Sequence, residues 1–197
     1  KEFEAVGFFI SDHPLNQFSE IFDDYKIKEY AKFISEDVIK NSNIAATLLK
    51  LQERKTAKGN SYAILKLTDL SSVFELFIFS DVLELNREIL KEGNSLMLNL
   101  VKNITNDENR FKRINVQKIT SLKELFNSPV NEISFNVKSI DQIQTISKIL
   151  KENGKTSVNI NVINDNNIIH FKLKNSKNLD RKSLNLLRKQ QIQATIS

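Results

Sequence analysis

Cysteine is absent from the sequence. With no thiols there is neither a disulfide framework nor a thiolate metal site. That composition fits a reducing compartment, and a cytoplasmic location is the expectation. No apolar run approaches the roughly 18 residues that a membrane span needs. The stretch Ala5–Ile10 is too short for a secretory core and has acidic flanks, so no signal peptide is read and no membrane association is expected. Glycine occurs four times, too few for a phosphate-cradling loop, and no P-loop or dinucleotide glycine pattern is present. There are two histidines. His13 precedes Pro14 in a turn, and His170 sits between Ile169 and Phe171 on a strand; both are read as structural. No Ser/His/Asp set and no H-E-x-x-H stretch occurs. Asp23-Asp24 and Asp107-Glu108 are sequence neighbours, whose side chains diverge, whereas a two-metal site needs carboxylates converging from separate strands. No catalytic residue, no metal ligand and no cofactor is therefore assigned to this chain.

What remains is 197 residues, 40% hydrophobic and 27% charged, enough for one large or two small domains. The chain begins with Lys1 and its one methionine is Met97, so the natural start is expected to lie upstream. The net charge of +5 is unevenly placed. Residues 1–40 carry 5 basic and 9 acidic side chains, residues 41–129 carry 13 and 10, and residues 130–197 carry 11 and 5. Such a positive excess suits nucleic acid and also suits an ordinary solvated surface.

Periodicity divides the chain into three. Over residues 1–40, a short extended piece and the Asp12-His13-Pro14-Leu15 turn lead into Leu15, Phe18, Ile21 and Phe22 at helical spacing, a packing segment. Residues 41–125 read as strand, strand, strand, helix, strand, strand. Ile44–Arg54 is followed by the basic turn Lys55–Asn60. In Ser61–Thr68, Ala63, Leu65 and Leu67 share one face, and Tyr62, Ile64 and Lys66 the other. In Val73–Ser80, Phe74, Leu76 and Ile78 oppose Glu75, Phe77 and Phe79. Asp81 is expected to cap a helix reaching Leu90, and Phe79 to be buried against it. Ser95–Ile104 and Phe111–Ile119 complete a predicted five-stranded OB-fold β-barrel. After a linker with Pro129, residues 130–197 read β-α-β-β-α-β, a split βαβ pattern. Here Asp141 caps a helix stopped by Asn153-Gly154, Asn164–Asn167 turns a hairpin, and Asp180 starts the second helix. The fold class expected is α+β.

OB barrels take oligonucleotides on the face of their second and third strands and on two flanking loops. The candidates are Arg54, Lys55 and Lys58 in the first loop, Arg110, Lys112 and Arg113 in the second, and Tyr62, Lys66 and Phe77 on the face between. Two readings of Phe77 stand open, stacking on a base or packing beneath a loop or residues 1–40. Glu75 on the same face opposes phosphate, so binding should be weak and salt-dependent. On the terminal helix, Arg181, Lys182, Arg188 and Lys189 form a candidate surface for an acidic partner, or a solvated helix face.

Three stretches resemble the alpha subunit of bacterial DNA polymerase III, a C-family replicative polymerase. Glu4-Ala5-Val6-Gly7-Phe8-Phe9-Ile10-Ser11-Asp12-His13-Pro14-Leu15 is similar to that family's E-x-x-G-aromatic-apolar-x-S-G-H-P-L segment, with Asp12 at the usual Gly. Lys55–Ala63 resembles its K-T-K-x-G-x-x-apolar-A hairpin. Leu67–Phe79 resembles its L-x-D-x-S-G-x-x-E-apolar-apolar-apolar-F run, with Ser72 at the usual Gly. The motifs cover about residues 4–80. Lys123-Glu124-Leu125-Phe126 ends like the family's clamp-binding peptide but lacks its leading Gln, and is read as a helix turn. The resemblance implies a non-catalytic C-terminal piece of a polymerase whose magnesium site lies upstream. It implies single-stranded DNA on the barrel, the clamp-loader tau subunit on the last domain, and other replisome subunits as partners. The alternatives are a protein-interaction scaffold of the replisome that touches no nucleic acid, a free single-strand-binding protein, and an OB-fold RNA- or tRNA-binding module.

Overall fold

The computed structural model describes residues 12–104, 112–164 and 167–196. The chain divides into two compact units between Phe126 and Asn127. Much of the Glu4–Leu15 motif lies outside the described residues.

The first unit opens with a 3₁₀ helix, Asn16–Ile21. Residues three apart eclipse in that helix, so Leu15, Phe18 and Ile21 form one buried row, packed on Ala45 and Leu122. Then follow β1 (Ile27–Lys28), α1 (Tyr30–Ser35), β2 (Asn41–Lys55), β3 (Ser61–Thr68), β4 (Val73–Phe79), α2 (Ser80–Asn86), β5 (Ser95–Ile104), β6 (Lys112–Ser121) and α3 (Leu122–Asn127). The five long strands follow the order β4-β3-β2-β5-β6, all antiparallel, and β1 adds to β2 in parallel. The two-residue alternation read from β3 and β4 is the observed one: Ala63, Leu65, Leu67, Phe74, Leu76 and Ile78 are all buried. They meet Ile44, Ala46, Leu48, Leu96, Leu98 and Leu100 in one core, into which α1 inserts Phe33 and α2 inserts Leu83.

Strand β2 serves two neighbours. Its first half, Asn41–Thr47, pairs with β5, and its second half, Thr47–Lys55, pairs with β3. A register shift between Leu48 and Lys50 lies in the β2–β3 ladder, just past the Thr47 junction, and a second lies at Asn99/Leu100 between β5 and β6. An extra residue bends its strand and increases the twist, so the sheet coils until β4 and β6 have Cα atoms within 8 Å. No ladder joins these two edges among the described residues. The expected closed barrel is instead a curled sheet with an unbonded seam. The helix expected from Asp81 to Leu90 is also shorter. Phe79 occupies its N-cap position with no side-chain cap, and the Asp81 carboxylate accepts the Ser80 hydroxyl at 3.2 Å. Past Asn86 the chain continues as a hydrogen-bonded turn, the N–H groups of Ile89 and Leu90 both meeting the Asn86 carbonyl at 3.0 Å.

The second unit contains β7 (Glu132–Val137), α4 (Ile140–Ile149), β8 (Lys151–Asn164), β9 (Asn167–Lys172), β10 (Lys177–Asn178), α5 (Arg181–Lys189) and β11 (Gln193–Ile196). The element order is the one expected, apart from the short β10, but the split βαβ pattern is not formed. Strands β7 and β8 pair directly and in parallel, with β11 on the far edge of β7 and β9 and β10 on the far edge of β8. Apolar periodicity determines which residues face the helices; it does not determine which strand edges meet. Two capping assignments also change. Ser139, not Asp141, caps α4, accepting the Gln142 N–H at 3.3 Å. Asn153-Gly154 lies inside β8 rather than stopping the helix, which has ended by Leu150. Gly154 is required by close approach: a Cβ there would collide with the Lys177 carbonyl of β10. Asp180 caps α5 as expected, accepting the Ser183 N–H at 2.7 Å.

Candidate nucleic-acid interface

Pleating sends alternate residues of β2, β3 and β4 outward, and the ladder registers align them in rows. Arg54, Tyr62 and Phe79 stand side by side; so do Gln52, Ile64 and Phe77, then Lys50, Lys66 and Glu75. Phe77 is 54% exposed and Phe79 55% exposed. Two residues apart on one strand, their rings start about 7 Å from each other along β4. Burial of Phe79 against the following helix does not occur. Its backbone is still extended (φ −90°, ψ 171°) where α2 begins, so its side chain keeps the outward phase and the helix buries Leu83 instead. Phe77 likewise remains an exposed, outward-phased ring.

The β2–β3 turn presents the first basic cluster. Gly59 adopts φ +83°, the left-handed region that costs a side-chain-bearing residue about 1–2 kcal/mol. Its N–H bonds the Thr56 carbonyl at 2.9 Å, and Thr56 in turn bonds the Asn60 carbonyl at 2.9 Å. Arg54, Lys55 and Lys58 are all exposed on this hairpin. Nearby acid is neutralised: Arg87, the C-cap of α2, holds Glu53 through two hydrogen bonds of 2.6 and 3.2 Å and also binds Glu84. These bonds hold the Glu84 carboxyl below its ordinary range and the Arg87 guanidinium above its own. Glu75, opposite Lys66, is the one acidic side chain in the three rows.

Of the second basic cluster only the Arg113 side chain falls among the described residues. Arg110 lies outside the described residues, as does the side chain of Lys112. Arg113 is exposed on β6 opposite Asn103, with β5 and β2 between it and β3 in the ladder. In the second unit Lys182 and Lys189 are exposed on α5, whereas Arg188 is half-buried and donates to the Ala194 carbonyl at 3.1 Å, tying helix to strand. Arg181 is half-buried at the start of the same helix.

Sequence reasoning missed two buried charges that frame α1. Asp69 accepts the Tyr30 N–H at 2.6 Å through one oxygen. Through the other it takes the backbone N–H groups of Ser71 and Ser72 at 2.9 and 2.7 Å. Lys102, 1% exposed, donates to the carbonyls of Phe33 and Glu36 at 2.6 and 2.8 Å and lies 5.0 Å from the Phe33 ring centre. Asp69-Leu70-Ser71-Ser72 was legible as a turn, but nothing local to Lys102 signals its burial. Tyr30 stacks on Phe74 with centroids 3.7 Å apart. Burial raises its phenol, with the Asp69 charge acting in the same direction. His13 Nδ1 accepts the Leu15 N–H at 3.2 Å, and burial lowers the imidazole against the opposing pull of Asp69 and Asp12. His170 Nδ1 lies 2.8 Å from Asn161 Oδ1. Among the described residues no three His, Cys, Asp or Glu side chains are grouped to hold a metal ion, and no helix is long and apolar enough to cross a membrane.

No protein-family model matches the chain. Individual relatives do. The chain is 30% identical over 152 residues to the DNA polymerase III subunit alpha of Rickettsia conorii, covering 76% of this chain and 12% of that protein. It is 22% identical over 195 residues to the protein of the same name from Borreliella burgdorferi (94% and 16%). For Aquifex aeolicus the figure is 22% over 169 residues, covering 82% and 14%. The chain thus has homologues named for a replicative polymerase and spans a small fraction of their length.

Proposed function

We propose that this chain is a non-catalytic, C-terminal segment of a DNA polymerase III alpha subunit. It holds single-stranded template on the outer face of β2, β3 and β4, and docks the clamp-loader tau subunit through residues 127–197. In this reading primer extension, with its magnesium and deoxynucleotides, belongs to other parts of a cytoplasmic parent protein. The strand succession β-β-β-α-β-β with two bends supports an OB-type fold left open at one seam; such folds bind oligonucleotides on strands two and three, here β3 and β4.

One observation carries the proposal: Phe77 and Phe79 are exposed on a single strand, beside Tyr62 and Ile64 and next to Arg54, Lys55, Lys58 and Lys66. Leaving two phenylalanine rings in water forgoes the burial that the fold gives Phe74 on the opposite face of the same strand. A base stacked on each ring recovers it, at about 1–3 kcal/mol per base, and every base has such a face. Cations along the hairpin supply the sequence-independent phosphate attraction.

Fluorescence anisotropy with a labelled oligothymidylate tests this. Binding should fall steeply with salt, and Lys55→Ala with Lys58→Ala should weaken it and flatten the salt slope while leaving the melting temperature unchanged. Equal affinity for duplex of the same length would mean plain charge attraction and reject the stacking face. Retained binding in the double variant would remove the hairpin from the interface.

A further inference from the structure

The helix layer of the second unit leaves part of its sheet bare. On β8, Val158 and Ile160 are buried and Val162 half-buried on the side facing the helices. Across the β8–β9 hairpin Phe171 stands opposite Ile160 and Ile169 opposite Val162. Leu173 continues the row, its N–H on the Val158 carbonyl at 2.9 Å. These residues occupy the core side of the sheet, yet Phe171 is 52% and Ile169 53% exposed. Between the bare strip and α4 lies an open cavity of about 410 Å³. Its floor is apolar, made by Ile143, Ile146, Leu150, Ile160 and Leu173, and Lys174, Lys177 and Glu152 stand at its rim. A volume of this size is in the range that accepts a ligand or anchor side chains.

The rim chooses among occupants. Glu152 is neutralised by its ion pair with Lys177. Lys174 is exposed at the rim. With Glu152 and Lys177 paired, Lys174 leaves the rim of the apolar floor with positive charge, which matches a segment with apolar anchors and an acidic flank. The strip from Ile169 to Leu173 is about 13 Å long, the length of two to three helical turns. A helix lying beside α4 over β8 and β9 would complete the layer.

We infer that this groove seats an acidic amphipathic helix presented by a partner protein. The inference rests on the proposed function, under which that protein is the tau subunit, and it moves the docking surface from α5 to the groove. It is tested by measuring the affinity of the purified tau subunit for the immobilised 197-residue chain. Phe171→Ser and Lys174→Glu, both at exposed positions, should each weaken binding at least tenfold. Lys182→Glu with Lys189→Glu on α5 should change it less than twofold. Circular dichroism should show the fold unaltered in each. If tau binds and the groove variants bind equally well, or only the α5 variant loses affinity, the groove is overturned while tau docking on this unit stands. If the unaltered chain does not bind tau, the docking half of the proposed function fails and the groove assignment with it.

Discussion

Asp69 and Lys102 bracket the six-residue helix α1, a carboxylate on its first N–H and an ammonium on its last carbonyls. Helix ends carry partial charges of opposite sign, positive at the N-terminus and negative at the C-terminus, and each residue complements the end it touches. So short a helix has little stability of its own. The two charges, with Phe33 between them in the core, hold it over one end of the curled sheet.

Lys102→Met keeps the apolar stem and removes the ammonium. Hydrogen bonds to a charged group contribute about 1.5–3 kcal/mol, and their loss leaves carbonyls unsatisfied. The first unit should lose roughly 2–3 kcal/mol on that principle. Tyr25, Tyr30 and Tyr62 are the three tyrosines of the chain and all belong to this unit. Urea unfolding followed by tyrosine fluorescence therefore reads it alone. An unchanged midpoint would mean that water replaces the ammonium without cost.

Gly154→Ala places a methyl group where the Lys177 carbonyl sits. Backbone cannot yield as a side-chain tip does, so β10 should separate from β8, and forced overpacking of this kind costs about 1–3 kcal/mol. Amide hydrogen exchange should show faster exchange at Thr156 and Asn178 with β2–β6 unaffected. Gly93→Ala is the comparison. It has a left-handed φ of +89° but open space around it, so it should show only the smaller backbone cost.

Asp180 is held below its ordinary carboxyl value, first by the backbone N–H of Ser183 and then by its hydroxyl. A lowered folded value means that the stabilisation is present above the unfolded pKa, about 3.9, and is lost as pH falls through the lower folded value. Asp180→Ala should cost about 1 kcal/mol at neutral pH. The gap between variant and parent, read by exchange of the α5 amides, should close in acid. A gap that stays constant down to pH 2 would show that the carboxylate charge does not matter.

What the sequence made legible was what repeats every two residues. Strands β3 and β4 could be read with their faces because Ala63-x-Leu65-x-Leu67 and Phe74-x-Leu76-x-Ile78 alternate without a break. Asp180 was legible because a cap acts on a residue three positions away. Partners distant in sequence were not legible. Lys102 meets Phe33 and Glu36 across more than 60 residues, and the direct β7–β8 pairing depends on edges rather than faces. Phe79 was misjudged for a local reason. An aromatic next to a helix start was expected to turn with the helix, but its backbone still belongs to the strand. On the proposed binding face, Tyr62, Lys66 and Phe77 were named from strand phase and the expected OB order, and Arg54 from the basic turn.

The most direct measurement is the affinity of the chain for an oligothymidylate at moderate salt, compared with Phe77→Ala, Phe79→Ala and the double variant. Both rings are exposed, so the melting temperature should hold. Each single variant should lose about 1–3 kcal/mol of binding and the double variant more. Affinity unchanged in all three would contradict the account and leave the ring-bearing face without a role in holding DNA.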